Sequence, residues 1–355
     1  MAGTIRGRGA ASNPPGRFDR TVTESVDDGW YREETAQSVA TTLEPDRART
    51  IITTNDSPDV PFDCSINPYR GCEHGCIYCY ARPSHSYMGL SPGLDFESRL
   101  FYKPDAALLL EQELARPGYV CKPIMLGANT DAYQPIEREL RITRSILEVL
   151  ARCRHPVSVV TKSALIVRDV DLLADLARDR LALVMISLTT LDPETKRTLE
   201  PRAAAPQARL RAIRALTEAG VPVGVMVAPL IPGINDHELE KLLEAAVDAG
   251  ACCAAYVVLR LPYEVAPLFR EWLDNHHPQR ARHVMALIRS LRGGRDNDPR
   301  FGTRMRGVGP IAEVLHRRFE LACRRLGIAG TRRMDLDTTR FRPPERPGAQ
   351  LELTF

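Results

Sequence analysis

The chain has 355 residues, 44% hydrophobic and 26% charged, with a formal net charge of only +3. That balance belongs to a globular protein large enough for a full core, and it excludes fibrous, collagen-like and wholly disordered chains. Arginine outnumbers lysine 43 to 5, a bias that genome composition alone can produce, so arginine abundance by itself does not signal nucleic-acid binding. No apolar run approaches the roughly 18 residues of a membrane helix. The basic start, Met1 to Gly9, has no apolar block behind it, so a soluble cytoplasmic protein without a secretory signal is expected. Nine cysteines, an odd number, argue against a disulfide scaffold.

Residues 1–60 hold seven arginines, ten acidic residues and little apolar periodicity, and are expected to form a mostly irregular arm. From residue 61 to 263, short runs rich in Val, Ile and Leu alternate with segments of helical period. The runs are Phe62–Ile66, Ile124–Gly127, Val157–Thr161, Leu181–Leu188, Val221–Ala228 and Ala255–Leu259. Helices are predicted over Pro104–Ala115, Glu137–Arg152, Asp169–Arg178, Gln207–Ala219 and His237–Ala249. The last two run into Ala-Gly pairs suited to a helix C-terminus. A strand–helix unit repeated in this way implies parallel strands joined by right-handed crossovers. The fold class is therefore α/β, and six units fit a partial (β/α)6 barrel better than a complete eight-fold one. A doubly wound sheet stays open on periodicity alone, although no GxGxxG or Walker pattern follows a strand. Residues 264–328 read as a helical extension (Ala266–Leu273, Pro278–Leu291, Gly309–Leu326) with 13 Arg against seven acidic residues. Residues 329–355 form a Pro- and Arg-rich tail.

Cys72-Glu-His-Gly-Cys76-Ile-Tyr-Cys79 follows the first strand. Three thiolates on one short loop can hold three corners of an iron–sulfur cubane and leave one iron open for chemistry. Gly71 and Gly75 let the backbone fold tightly around such a group. The alternative is zinc with His74 as fourth ligand. Structural zinc, however, usually draws its ligands as two separated pairs, and no second pair follows.

CxxxCxxC after the first strand of a six-strand α/β pattern resembles the radical S-adenosylmethionine (SAM) superfamily. Further stretches are similar to its spore photoproduct lyase-related branch: Gly127-Ala-Asn-Thr-Asp-Ala-Tyr-Gln-Pro-Ile-Glu137, Thr161-Lys-Ser163, Ile186-Ser-Leu-Thr-Thr-Leu-Asp192 and Pro232-Gly-Ile-Asn-Asp236. The resemblance spans roughly residues 60–325. It implies a [4Fe–4S] cluster on Cys72, Cys76 and Cys79, with SAM on the open iron. An electron from a low-potential donor such as flavodoxin or ferredoxin then yields a 5′-deoxyadenosyl radical that abstracts hydrogen from the substrate. It also implies a lyase-like reaction on damaged DNA. Modification of RNA or of a protein side chain, and a non-catalytic iron–sulfur role, are the alternatives.

The resemblance assigns Tyr78 to the adenine side of SAM and Gly127, Ala128, Asn129 and Thr130 to its amino group. The acidic residue usual in that segment is missing, and Asp131 could supply the charge instead. Lys162 and Ser187, at strand ends where parallel barrels gather their active sites, are expected near the SAM carboxylate. Arg260 meets an anionic substrate or closes a salt bridge. The lyase's hydrogen-donor cysteine near the end of the second strand has no counterpart in Leu126–Thr130, which leaves Tyr133 and Tyr256 as candidate donors. Cys121, Cys252 and Cys253 precede their strands and read as core or surface thiols. His276-His277 reads as a solvated pair.

Arg295, Arg300, Arg304 and Arg306 fall in one loop from which they could reach a phosphate backbone. Gln350-Leu-Glu-Leu-Thr-Phe355 resembles the peptide that tethers bacterial repair proteins to the DNA sliding clamp, with Thr354 as an extra residue. Its alternating Leu351, Leu353 and Phe355 also fit a short strand. Transplanting the last ten residues onto a carrier protein should confer clamp retention in a pull-down, and no retention would discard the tether.

Overall fold

The structure is a computed structural model that describes residues 5–19, 39–330 and 336–344. The clamp-like peptide Gln350–Phe355 lies outside the described residues. One sheet of eight strands organises the chain, in the spatial order β8-β7-β6-β5-β4-β3-β2-β1. These are β1 (Ile52–Thr54), β2 (Cys64–Ile66), β3 (Ile124–Leu126), β4 (Val157–Thr161), β5 (Ala182–Ser187), β6 (Val223–Leu230), β7 (Cys253–Val258) and β8 (Ala329–Gly330). Strands β2 to β8 pair in parallel, and β1 runs antiparallel along β2. The two ends of the sheet do not pair, so the α/β fold is an open, partial barrel. The six parallel strands expected from the sequence are β2 to β7.

Alternation along each strand separates two faces. Val184, Ile186, Val225, Val227, Ala254 and Tyr256 point outward into a core shared with the helices. Met185, Cys253 and Ala255 point into the lumen, with Val160 and Met226 against them. The helix Ile142–Arg152 shows why the outer layer forms. Ile142, Ile146, Leu147, Val149 and Leu150 are buried at helical spacing against the sheet.

Residues 137–152, expected as one helix, break at Arg141, whose φ is +53°. The buried Glu137 carboxylate accepts the Thr143 N–H at 3.0 Å and so ends one turn by capping the next. A short helix unforeseen from periodicity, Pro193–Leu199, is capped by Asp192, which accepts the N–H of Thr195 at 2.8 Å. Asp192-Pro193 is the sequence signal for it: a capping side chain followed by proline in the first turn.

The region 1–60, expected to be mostly irregular, contributes β1 and a strand at Thr42–Pro45, which pairs with Arg99–Tyr102 beside Tyr69–Arg70 in a second small sheet. Residues 8–10 lie on the cysteine loop. Their anchor is Glu97, fully buried, which accepts the N–H groups of Gly9 and Ala10 at 2.9 Å each and pairs with the equally buried Arg82. A β-carbon on Gly9 would overlap the Gly75 carbonyl oxygen, so only glycine fits there. The helices Val265–His276 and Ala281–Leu291 complete a second core with Cys76, Ile77 and Tyr78 of the loop, whereas the helix Pro310–Arg325 returns to the main core. Removing the Glu97 carboxylate leaves a guanidinium buried without its counter-charge. Glu97→Ala should lower stability by about 3–5 kcal/mol in urea titrations.

Candidate active site

Cys72, Cys76 and Cys79 sit on the loop after β2, at the C-terminal ends of the parallel strands. Gly71 and Gly75 take φ of +75° and +67°, and a β-carbon on Gly75 would stand 2.7 Å from Glu97. The loop is braced from the strand ends: Ile77 N–H donates to the Leu199 carbonyl at 3.1 Å, and Arg202 N–H to that of His74 at 3.2 Å. From within, Arg82 Nε donates to the Cys76 carbonyl at 3.0 Å, and its Nη1 to those of Pro92 and Gly93 at 3.1 and 2.9 Å.

Two observations test what the thiols fit. Among the described residues no three His, Cys, Asp or Glu side chains converge closely enough to hold a single metal ion. A cluster takes one thiolate per iron and so holds its cysteines farther apart than a lone ion does. The zinc alternative also loses its fourth ligand, because His74 is turned to Asp131 (Nδ1–Oδ2 3.2 Å). The second observation is chemical. Burial pushes all three thiols up, Cys76 to about 12, and a cationic centre bound there would offset that cost and stabilise the thiolates. The backbone N–H of Asp131 is aimed at Cys72, and those of Ala81 and Arg82 at Cys79. These are the donors a cluster thiolate accepts. The residues fit an iron–sulfur cluster.

Around the cysteines the strand ends supply polar groups. Lys162, just past β4, holds its Nζ 5.9 Å from the Tyr78 ring centroid and forms no ion pair among the described residues. Ser187, at the end of β5, is buried, its hydroxyl 3.3 Å from the Ala228 carbonyl. Gly127 needs its φ of +80°, since a β-carbon would meet the Val160 carbonyl oxygen at 2.9 Å. The Ala128 carbonyl accepts the Tyr80 hydroxyl. Thr130 is buried with its hydroxyl donating to the Tyr69 carbonyl at 2.8 Å, while Asn129 stays exposed. Asp131 is fully engaged by His74, Thr161 and the Lys162 N–H. Burial raises its carboxyl, but these partners outweigh it and hold it well below the usual range.

Tyr78 is buried, its hydroxyl donating to Glu200. Glu200 also accepts from Thr189 at 2.6 Å and pairs with Arg209, which in turn donates to the Ser187 carbonyl at 2.9 Å. Neither Glu200 nor Glu97 stands out in the sequence, because each is defined by partners far away along the chain. The candidate donors Tyr133 and Tyr256 both lie in the main core. Arg168 stands over the Tyr133 ring at 6.0 Å, and Tyr256 packs on Phe319 of the outer helix at 4.7 Å. A second phenol of the cysteine loop, Tyr80, is next to Cys79 and 48% exposed. Adjacency to the last cysteine was its only sequence signal. His276 and His277 both pack on Trp272.

The sequence model of the radical SAM superfamily matches residues 66–246, half of the chain. The chain belongs to the radical SAM superfamily. It is 38% identical over 232 residues to an uncharacterized protein of Mycobacterium tuberculosis, covering 65% of this chain and 68% of that one. It is also 28% identical over 173 residues to an uncharacterized protein of Methanocaldococcus jannaschii, covering 49% and 62%. Among solved structures, a spore photoproduct lyase mutant with bound AdoMet and dinucleoside spore photoproduct superposes with a TM-score of 0.59. The pair is 15% identical, over 86% of this chain and 87% of that one. Spore photoproduct lyase complexed with dinucleoside spore photoproduct gives 0.56 at 16% identity, over 81% and 80%. Radical SAM enzymes use a [4Fe–4S] cluster and SAM, and they require a reductant.

Burial raises the Glu200 carboxyl, but Arg209 and then Lys162 outweigh it and hold the group at about 2, below its ordinary 4.5. The folded state therefore gains stability from this carboxylate above pH 4.5 and loses it as the pH falls through about 2. In urea titrations of the cluster-free protein, Glu200→Gln should be less stable at neutral pH. It should also lose less stability on acidification than the wild type.

Proposed function

We propose that the chain is a radical SAM enzyme of the lyase type that acts on damaged nucleic acid, with Cys72, Cys76 and Cys79 holding a [4Fe–4S] cluster. The observation that carries the catalytic reading is the furnished mouth: Lys162 without an ion pair among the described residues, with Ser187 and Asn129 at neighbouring strand ends. A merely structural cluster needs none of these. The cluster those cysteines would hold would supply the one-electron reduction by which SAM is cleaved.

The chain's own groups do the rest. Lys162 pairs with the SAM carboxylate, and Ser187 lies beside it. The Gly127–Thr130 segment receives the amino group through its carbonyls and the Asn129 amide. Tyr78, pinned by Glu200, sets the loop against the adenine side. The apolar lumen of Met185, Val160, Met226 and Ala255 keeps water from a radical. Tyr80, exposed beside Cys79, serves as hydrogen donor in preference to Tyr133 and Tyr256, which lie in the main core.

The nucleic-acid reading is supported by the fold shared with the lyase and by exposed aromatics interleaved with arginine at the mouth: Tyr80 beneath Arg260, and Phe301 beneath Arg304 at 4.5 Å. Base stacking and phosphate contact use such a pattern. Flavodoxin or ferredoxin would serve as reductant, and Gln350–Phe355 as a clamp tether.

Anaerobic reconstitution, reduction with dithionite and addition of SAM should release 5′-deoxyadenosine from the wild type and none from Cys76→Ala. Damaged DNA should accelerate the release. Iron uptake with SAM left intact, with or without DNA, would reject the catalytic reading. Stimulation by RNA or peptide in place of DNA would move the substrate.

A further inference from the structure

Four guanidiniums gather where the sixth parallel strand, β7, meets the mouth: Arg260, Arg292, Arg300 and Arg304. Among the described residues two carboxylates pair with them. Asp298 is taken by Arg300 at 2.9 Å and by the Thr303 hydroxyl at 3.0 Å. Asp59 is taken by Arg304 at 2.5 Å and by the Gly302 N–H at 2.7 Å. Arg292 is sealed inside, 1% exposed; its Nη1 and Nη2 donate to the carbonyls of Val258, Leu259, Thr303 and Arg304 at 2.5–3.4 Å, and its Nε is buried without a partner but out of reach of a ligand. That leaves Arg260.

Arg260 is half-buried and forms no ion pair among the described residues. Its Nε is buried without a partner, and its Nη1 reaches only the Met305 sulfur at 3.7 Å. Its guanidinium lies 5.7 Å from the ring centroid of Tyr80, the residue after the last cluster cysteine. Among the described residues the salt bridge that the sequence left open for Arg260 is not made. A partly desolvated guanidinium with unused donors, surrounded by like charges, lacks an oxyanion that would offset both costs. Burial and then Arg304 lower its pKa, in keeping with a cation short of counter-charge.

We propose that Arg260 anchors an oxyanion subsite at the barrel mouth, and that the group it takes is a backbone phosphate of the bound nucleic-acid strand. This rests on the nucleic-acid reading above. The fork of Arg260 grips the phosphate, and the Tyr80 ring below it is left free to meet the adjoining base. The subsite therefore fixes which nucleotide lies next to the cluster loop.

The test is the binding of a labelled single-stranded oligonucleotide to the reconstituted protein across a salt series, by fluorescence anisotropy. Arg260→Gln should bind about tenfold more weakly, the loss expected for one charge-assisted contact, and the salt slope should fall by about one. Arg260→Lys should restore the slope but not the full affinity. Unchanged affinity and slope in Arg260→Gln would overturn the subsite while leaving the nucleic-acid reading in place.

Labelling of wild-type Arg260 by phenylglyoxal, read by peptide mass spectrometry, decides independently of any variant's folding. Protection by the oligonucleotide supports the subsite. Protection by SAM alone overturns it, because the guanidinium then serves the cofactor. If the wild type binds no oligonucleotide yet inorganic pyrophosphate protects Arg260, the oxyanion subsite stands and the nucleic-acid reading falls. No protection by either anion overturns the subsite.

Discussion

The cysteine loop must hold three thiols in a fixed arrangement on a backbone with almost no regular structure of its own. That burden falls on the buried pair Arg82–Glu97. Such a pair contributes little net stability after desolvation, but it is strongly directional, because every remaining donor and acceptor must be met. Glu97 meets its own by gathering the N–H groups of Gly9 and Ala10, and Arg82 by gathering the carbonyls of Cys76, Pro92 and Gly93. One interaction therefore joins the N-terminal residues, the cysteine loop and the segment before Arg99–Tyr102. The glycines at 9 and 75 follow from it, since the backbones they belong to touch.

A second buried pair, Glu200–Arg209, works from the opposite side of the site. It ties Tyr78 of the loop to Thr189 past β5 and, through Arg209, to the Ser187 carbonyl. The loop is thus held between two ion pairs, one toward the N-terminal residues and one toward the strand ends. Both lie out of contact with solvent, where a charge without its partner is costly. Through Arg209 the second pair fixes the Ser187 backbone relative to the cysteine loop.

The mouth beyond this frame has a different physical character. Among the described residues Arg260 has no carboxylate partner there, and exposed rings lie beneath Arg260 and Arg304. Inside, alternation along the strands leaves methionines and small apolar side chains facing the lumen. The site thus passes from a polar, cationic rim to a floor made mostly of apolar side chains.

Much of this was legible in the residues themselves. Six apolar runs at regular intervals determined six parallel strands, because a strand buried on both faces must be apolar throughout. The spacing of Cys72, Cys76 and Cys79 determined the kind of centre, since ligand chemistry is local. What only the tertiary structure decided involves partners far apart along the chain. The choice of Glu97 and Glu200 as the anchors of the loop is of this kind. So is the break at Arg141, where a side chain four residues back outcompetes helix continuity, and the outward turn of Tyr256, set by its register in β7. Arg260 is the plainest instance: whether its charge is already met depends on Asp59 and Asp298, residues on other segments that folding brings near and that Arg304 and Arg300 take first.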